Sequence, residues 1–345
     1  MKAKKTAIVT ALLGIGVGAA GSVQAAPLQE VVQQTLTSNP EVSVAGNERL
    51  ARDQQIQQAR TGYYPTVDLN AGYGWEWTDS PTTRSANPPP GDGDEDLTRK
   101  ETSLELRQML FDGFATRSEV ARQKARTASA AHVVSETAEK IALRTTEVYL
   151  ELLKQQQLLA LAEENLQAHK RIFDQIERRS QTGVSRMADL DQITGRLALA
   201  ESNLVASRNN VTEADANYRR VVGDGPSDLS RPAEPGAALP ATVDDAVAIA
   251  LANHPTLKSA QADVDSAVAQ HEASKHAFYP RFDLELARTW NDDLDGVPGR
   301  NEDAQAMIRM RWNLFNGQAD SARKEETAHL INEAKDISAN AMRQA

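Results

Sequence analysis

The chain has no cysteine. Whatever it folds into is held by packing and hydrogen bonds, with no disulfide, no thiolate nucleophile and no thiol for a lipid anchor. Aromatic residues make up only 5% of it, and all four tryptophans fall within 75–77 and 290–312. Beyond the first 25 residues no apolar run approaches the ~18 that mark a membrane-crossing helix. Helical spans are thereby excluded. Amphipathic strands are not, because their alternation hides them from hydropathy. Basic side chains are outnumbered, 38 against 48 acidic, which argues against nucleic acid as a partner.

Residues 1–25 read as a secretory signal peptide. Lys2, Lys4 and Lys5 precede an apolar, Gly/Ala-rich run to about Gly21, and Val23-Gln24-Ala25 ends it. Charged head, apolar middle and small-residue cleavage site are its three parts, with cleavage expected between Ala25 and Ala26. Loss of the three lysines takes the net charge from −10 to −13.

The remainder is one unit written twice. Asn39-Pro40, Tyr64-Pro65, Asp68-Leu69 and Trp75 recur as His254-Pro255, Tyr279-Pro280, Asp283-Leu284 and Trp290, all at an offset of 215. Leu110-Phe111-Asp112-Gly113 recurs as Leu314-Phe315-Asn316-Gly317 at an offset of 204. The first repeat is expected to occupy 26–222 and the second 242–345. The linker between them, 223–241, holds Pro226, Pro232, Pro235 and Pro240, which no helix continues through. After Gly317 the second copy runs about 80 residues shorter than the first does after Gly113, so it reads as incomplete.

Each copy predicts a strand pair, about 63–78 with 100–113 and about 278–291 with 303–316. Val67, Leu69, Ala71, Tyr73, Trp75 and Trp77 alternate with Thr66, Asp68, Asn70, Gly72, Gly74 and Glu76. In the next strand Thr102, Leu104, Leu106 and Leu110 oppose Glu101, Ser103, Glu105 and Arg107; in the last, Ile308, Met310, Trp312 and Leu314 oppose Arg309, Arg311 and Asn313. Each run exceeds the ~9–11 residues a tilted strand needs to cross a bilayer. Trp75, Trp77, Trp290 and Trp312 suit the headgroup boundary, where a ring is half dry and its N–H stays wet. Glu105, Arg107, Arg309 and Arg311 then face a wet lumen. A spanning sheet must close on itself, and the smallest closed barrels use ~8 strands. Four strands therefore require several subunits.

Between Phe114 and Gln181 there is no proline or glycine. Leu152, Leu159, Leu166 and Phe173 recur every seven residues, and after Gly183 so do Leu190, Leu197, Leu204, Val211 and Tyr218. Both patterns predict long helices packed as in a coiled coil, the first roughly 100 Å long at ~1.5 Å per residue. Together they make a hairpin over about 114–222.

Taken together, these features resemble the TolC family of outer-membrane efflux and secretion ducts. The matching residues are Asn39-Pro40 and His254-Pro255, Tyr64-Pro65-Thr66 and Tyr279-Pro280, the two Leu-Phe-(Asp/Asn)-Gly motifs, Thr182-Gly183-Val184 and Asp189-Leu190. The resemblance implies an α+β membrane protein of the Gram-negative outer membrane: a homotrimer whose twelve-stranded β-barrel continues into a periplasmic α-barrel of helices. It implies passive transport in a tripartite efflux or type I secretion system, with a periplasmic adaptor (membrane fusion) protein and an inner-membrane transporter as partners and no cofactor. The tip residues Thr182, Gly183, Val184, Asp189 and Leu190 become the adaptor contact. Residues that narrow such a tunnel's entrance belong to a second hairpin, which this chain does not reach.

Rival chemistry is thin. Asn291, Asp293, Asp295, Gly296 and Glu302 keep the spacing of a calcium loop, but strands flank them, and an acidic hairpin loop is the preferred reading. Asp92, Asp94, Glu95 and Asp96 read as a second solvated acidic loop, and His271 and His276 as surface histidines. The alternative to a duct is a periplasmic coiled-coil structural or binding protein that never enters lipid.

Overall fold

The computed structural model describes residues 27–86, 93–233 and 239–344. The leader, Asp92 and part of the linker lie outside them. In chain order the elements are α1 (Leu28–Ser38), α2 (Pro40–Arg60), β1 (Thr66–Asp79), α3 (Pro81–Ala86), β2 (Asp94–Phe111), α4 (Ala115–Gln181), α5 (Met187–Val222), α6 (Val243–Asn253), α7 (Pro255–Ser274), β3 (Arg281–Leu294), β4 (Val297–Arg311) and α8 (Ala319–Gln344). They gather into two units, one of residues 1–39 and 141–234, the other of 40–140 and 235–345.

The first unit is helical. Its core joins Val31 of α1, Tyr149 and Leu152 of α4, and Ala214, Tyr218 and Val222 of α5. Farther along the hairpin, Leu166 packs with Ala200 and Leu204. These are the heptad positions. Small Ala200 and Ala214 sit opposite large leucine and tyrosine, so the helices approach closely and still fill the space. Each fully buried apolar side chain contributes about 1.5–3 kcal/mol. The Tyr149 hydroxyl donates to the Ser230 carbonyl at 2.8 Å and accepts from the Ser230 N–H at 2.9 Å, tying the chain after α5 back to α4. Burial pushes the Tyr218 phenol above its ordinary value, with Tyr149 adding to the effect.

The second unit holds an antiparallel sheet in the order β1-β2-β3-β4. Its backbone shows the repeat directly. A 3-10 turn precedes β1 (Thr61–Tyr63) and β3 (Lys275–Phe278). Two consecutive left-handed residues follow the strands of each copy: Gly113 and Phe114 at φ 66° and 67°, Gly317 and Gln318 both at 68°. In the first copy that turn is tightly packed. Phe111, Phe114 and Tyr279 stack edge to face, with centroids 5.4–6.4 Å apart. α7 and α8 meet at Thr327, which is buried and in contact with His271 Nδ1 (3.0 Å) and Ser274 Oγ (3.2 Å). His271 is therefore a packing residue, not a surface histidine. His276 lies in the 3-10 turn, with Nδ1 2.7 Å from the Ala273 carbonyl.

Both expected acidic loops are corrected. Leu294 pairs with Val297, leaving only Asp295-Gly296 as the β3–β4 connection. Both residues have positive φ, 55° and 73°, the type I′ geometry that matches strand twist and that Asp-Gly favours. Asp293, at φ 57°, marks a shift in register. Asn291 pairs with Asn301, so the calcium-spaced residues are spread along a ladder instead of converging in a loop. Likewise Asp94, Glu95 and Asp96 open β2, pairing with Asp79, Thr78 and Trp77.

Candidate functional site

The sheet has two chemically distinct faces, set by a register that keeps like with like across all four strands. Val67 pairs with Leu106, Leu106 with Leu286, and Leu286 with Ala306. This face is bare. Leu69, Tyr73, Trp75 and Ile308 are 69–79% exposed, and Val67 and Met310 more than half exposed. So extensive an apolar surface does not persist in water; hydrocarbon is what covers such a face at the length and alternation of these strands.

The opposite face is ionic. Glu285 receives Arg309 at 2.7 Å, Arg311 at 2.8 Å and Arg107 at 3.3 Å. Arg281 forks onto both oxygens of the fully buried Asp283, at 2.8 and 3.1 Å, and Arg311 approaches the same carboxylate at 3.8 Å. Higher on this face Arg99 bridges Glu76 (2.7 Å), Asp295 (3.3 Å) and Glu101. Buried charge is tolerated only where it is paired, which is how Asp283 survives. Of the four charges singled out in the sequence, Arg107, Arg309 and Arg311 converge here. Glu105 does not join them; it stands opposite Asp68 and is approached by Ser103 Oγ at 3.5 Å. Glu285 and Asp283, which anchor the cluster, were not singled out. Their signal was available: carboxylates alternating with leucines, opposed by arginines in phase.

The tryptophans divide. Trp75 is bare, whereas the Trp77 indole N–H donates to Asp94 at 3.0 Å. The Arg288 guanidinium lies 5.1 Å above the Trp290 ring, and Trp312 sits just past the end of β4, half exposed.

At the hairpin tip of the first unit, Gly183 takes φ 75°. The Val184 and Ser185 N–H groups both donate to the Arg179 carbonyl, at 2.8 and 3.1 Å, closing α4. Thr182 Oγ1 donates to the Arg178 and Arg179 carbonyls. The Arg186 N–H donates to the Asp189 carboxylate at 3.3 Å, which opens α5. Thr182, Gly183 and Asp189 thus shape the turn, and Leu190 is partly buried. Val184 and Met187, each 68% exposed, are what the tip presents.

A polar cleft of about 550 Å³ in the second unit is lined by Asp112, Glu119, Arg122, Arg281, Asp320 and Arg323 among others. Its charges are mutually engaged: Arg122 forks onto both Glu119 oxygens at 2.8 Å and holds that carboxyl below its ordinary value. Among the described residues no cluster of histidine and carboxylates is arranged to hold a metal.

A sheet that is apolar outside, ionic inside and open at both edges, in a chain that also carries long paired helices, defines a class: one wedge of a shared membrane barrel with helical extensions. The chain belongs to the outer membrane efflux protein family, whose model matches residues 31–224 and 246–340. That family is made of channel proteins, and membership makes this an outer-membrane protein. It is 27% identical over 252 residues to the outer membrane efflux protein BepC of Brucella suis, covering 72% of this chain and 55% of BepC. To the outer membrane protein TolC of Escherichia coli K12 it is 27% identical over 215 residues, covering 62% and 41%. The chain thus spans about half the length of these curated relatives. Among solved structures, the Campylobacter jejuni CmeC outer membrane channel shares its fold, with TM-score 0.76 over 92% of this chain and 68% of that one at 14% identity.

Proposed function

We propose that this chain is one protomer of a homotrimeric outer-membrane duct that conducts solutes passively to the exterior. The observation that carries this is the two-faced sheet with two open edges. Its apolar face requires lipid, its ionic face requires water, and unpaired edges in lipid require neighbours. Three copies supply twelve strands. The duct has no catalytic step of its own. Export is driven by an inner-membrane transporter, and a periplasmic adaptor bridges the two. The tip bearing Val184 and Met187, set by Thr182, Gly183, Asp189 and Leu190, is the adaptor's contact. Trp75, Trp77, Trp290 and Trp312 anchor the barrel at the headgroup level, and Glu105, Arg107, Arg309 and Arg311 keep its lumen wet.

Reconstitution of the full-length protein into planar bilayers tests the reading. Discrete conductance steps are expected, together with recovery in the outer-membrane fraction of cells. Exclusive recovery in the soluble periplasm, with no conductance, overturns it.

A further inference from the structure

The repeat supplies a template for the seam between copies. Within one chain the seam joins the trailing strand of the first copy, β2, to the leading strand of the second, β3. The same two kinds of edge, the trailing β4 and the leading β1, are left without a partner strand in the sheet. β1 and β3 begin at Thr66 and Arg281, equivalent positions at the 215 offset. β2, however, runs to Phe111, whereas β4 ends at Arg311, four residues before the equivalent Phe315. Those last residues have no strand beside them, and Leu314 and Phe315 are each 79% exposed.

The packed turn shows the same asymmetry. A Cβ on Gly113 would lie 2.8 Å from the His276 carbonyl oxygen and 2.9 Å from Tyr279 Cβ. The equivalent Gly317, with the same left-handed backbone, has nothing within 4 Å. Phe111 stacks on Tyr279 at 6.4 Å, whereas their equivalents Phe315 and Tyr64 are 79% and 66% exposed. The second copy's turn is built for a neighbour it does not find in its own chain.

We propose that β4 pairs with β1 of a second copy in the register that β2 keeps with β3, locked by Phe315 against the partner subunit's Tyr64. This rests on the duct reading and specifies how that duct closes. The observed pair Arg107–Glu285 maps to Arg311 opposite the partner's Asn70, and Ser103–Thr289 maps to Met307 opposite the partner's Gly74. This register also sets Met310 opposite the partner's Ala71 and Trp312 opposite the partner's Leu69, apolar face to apolar face. A slip of one residue would put every β4 side chain on the wrong side. Asn313 falls opposite the partner's Asp68, as Met109 does opposite Asp283.

The absence of cysteine makes disulfide trapping clean. Directly opposed Cβ atoms lie about 4.5–5.5 Å apart, within disulfide reach. In outer-membrane vesicles carrying the full-length protein, Arg311→Cys with Asn70→Cys is expected to give a reducible ladder of dimer and trimer on oxidation. Ser103→Cys with Thr289→Cys, the same geometry inside one chain, is expected to lose its free thiols without a ladder. Arg311→Cys with Asp68→Cys or with Gly72→Cys, two residues out of register, should cross-link about tenfold more slowly. Phe315→Ala is expected to lower the temperature at which oligomers dissociate, and Tyr64→Phe to leave it unchanged. Faster trapping by either displaced pair, or no trapping by any pair in vesicles that conduct, overturns the register while leaving the duct intact. Vesicles that neither conduct nor contain oligomers overturn both.

Discussion

Gly113 combines a left-handed backbone, φ 66°, with the near contacts of Tyr279 and the His276 carbonyl. Gly113→Ala is therefore expected to destabilise the protein by roughly 1–3 kcal/mol, read as a lower denaturant midpoint, whereas Gly46→Ala on open helix surface should not lower it. Tyr149→Phe removes a hydroxyl that both donates to and accepts from Ser230, and a loss of about 1–3 kcal/mol is expected in the same measurement. At Glu119 the effect is one of pH. Its carboxyl is held below the ordinary value by Arg122. The resulting stability is complete above the ordinary carboxylate value and is lost as pH falls through the lowered one. Glu119→Gln should flatten the acid limb of a stability–pH curve and leave its neutral plateau otherwise shaped as before.

The elements were unequally legible. Alternation of Val67, Leu69, Tyr73 and Trp75 with polar residues announces a two-faced strand, and heptads announce the long helices, because each reflects one period and one face. The β3–β4 connection was missed through the wrong weighting of a strong local signal. Asp295-Gly296 is a type I′ dipeptide, yet the surrounding carboxylates suggested a loop. The start of β2 was hidden for a related reason. Asp94, Glu95 and Asp96 have low strand propensity and enter the ladder because β1 lies beside them. The ionic cluster was half legible, since which arginines reach Glu285 depends on register across three strands. At the tip, Asp189 was expected as a contact and is found capping α5. Asp189→Ala should thus cost about 0.5–2 kcal/mol of stability, while Val184→Asp with Met187→Asp should leave stability unchanged and abolish adaptor capture in a pull-down from detergent extract.

For the whole molecule, the orientation of the sheet is the property that matters. Leu69 and Asn70 are neighbours on opposite faces. Leu69→Arg would place a cation in hydrocarbon at a cost of about 2–4 kcal/mol near the midplane, whereas Asn70→Arg faces water. Folding yield into lipid vesicles is expected to fall for the first variant and not for the second. Similar yields for both would mean that the face bearing Leu69 does not meet lipid.

The same greasy face has a consequence earlier in the protein's life. Between synthesis and insertion the polypeptide must travel through an aqueous compartment with Tyr73, Trp75, Ile308 and their neighbours uncovered and two strand edges ready to stick to anything extended. Such a chain needs an escort that shields it during transit, and in the escort's absence it should be degraded or precipitate long before any duct is built.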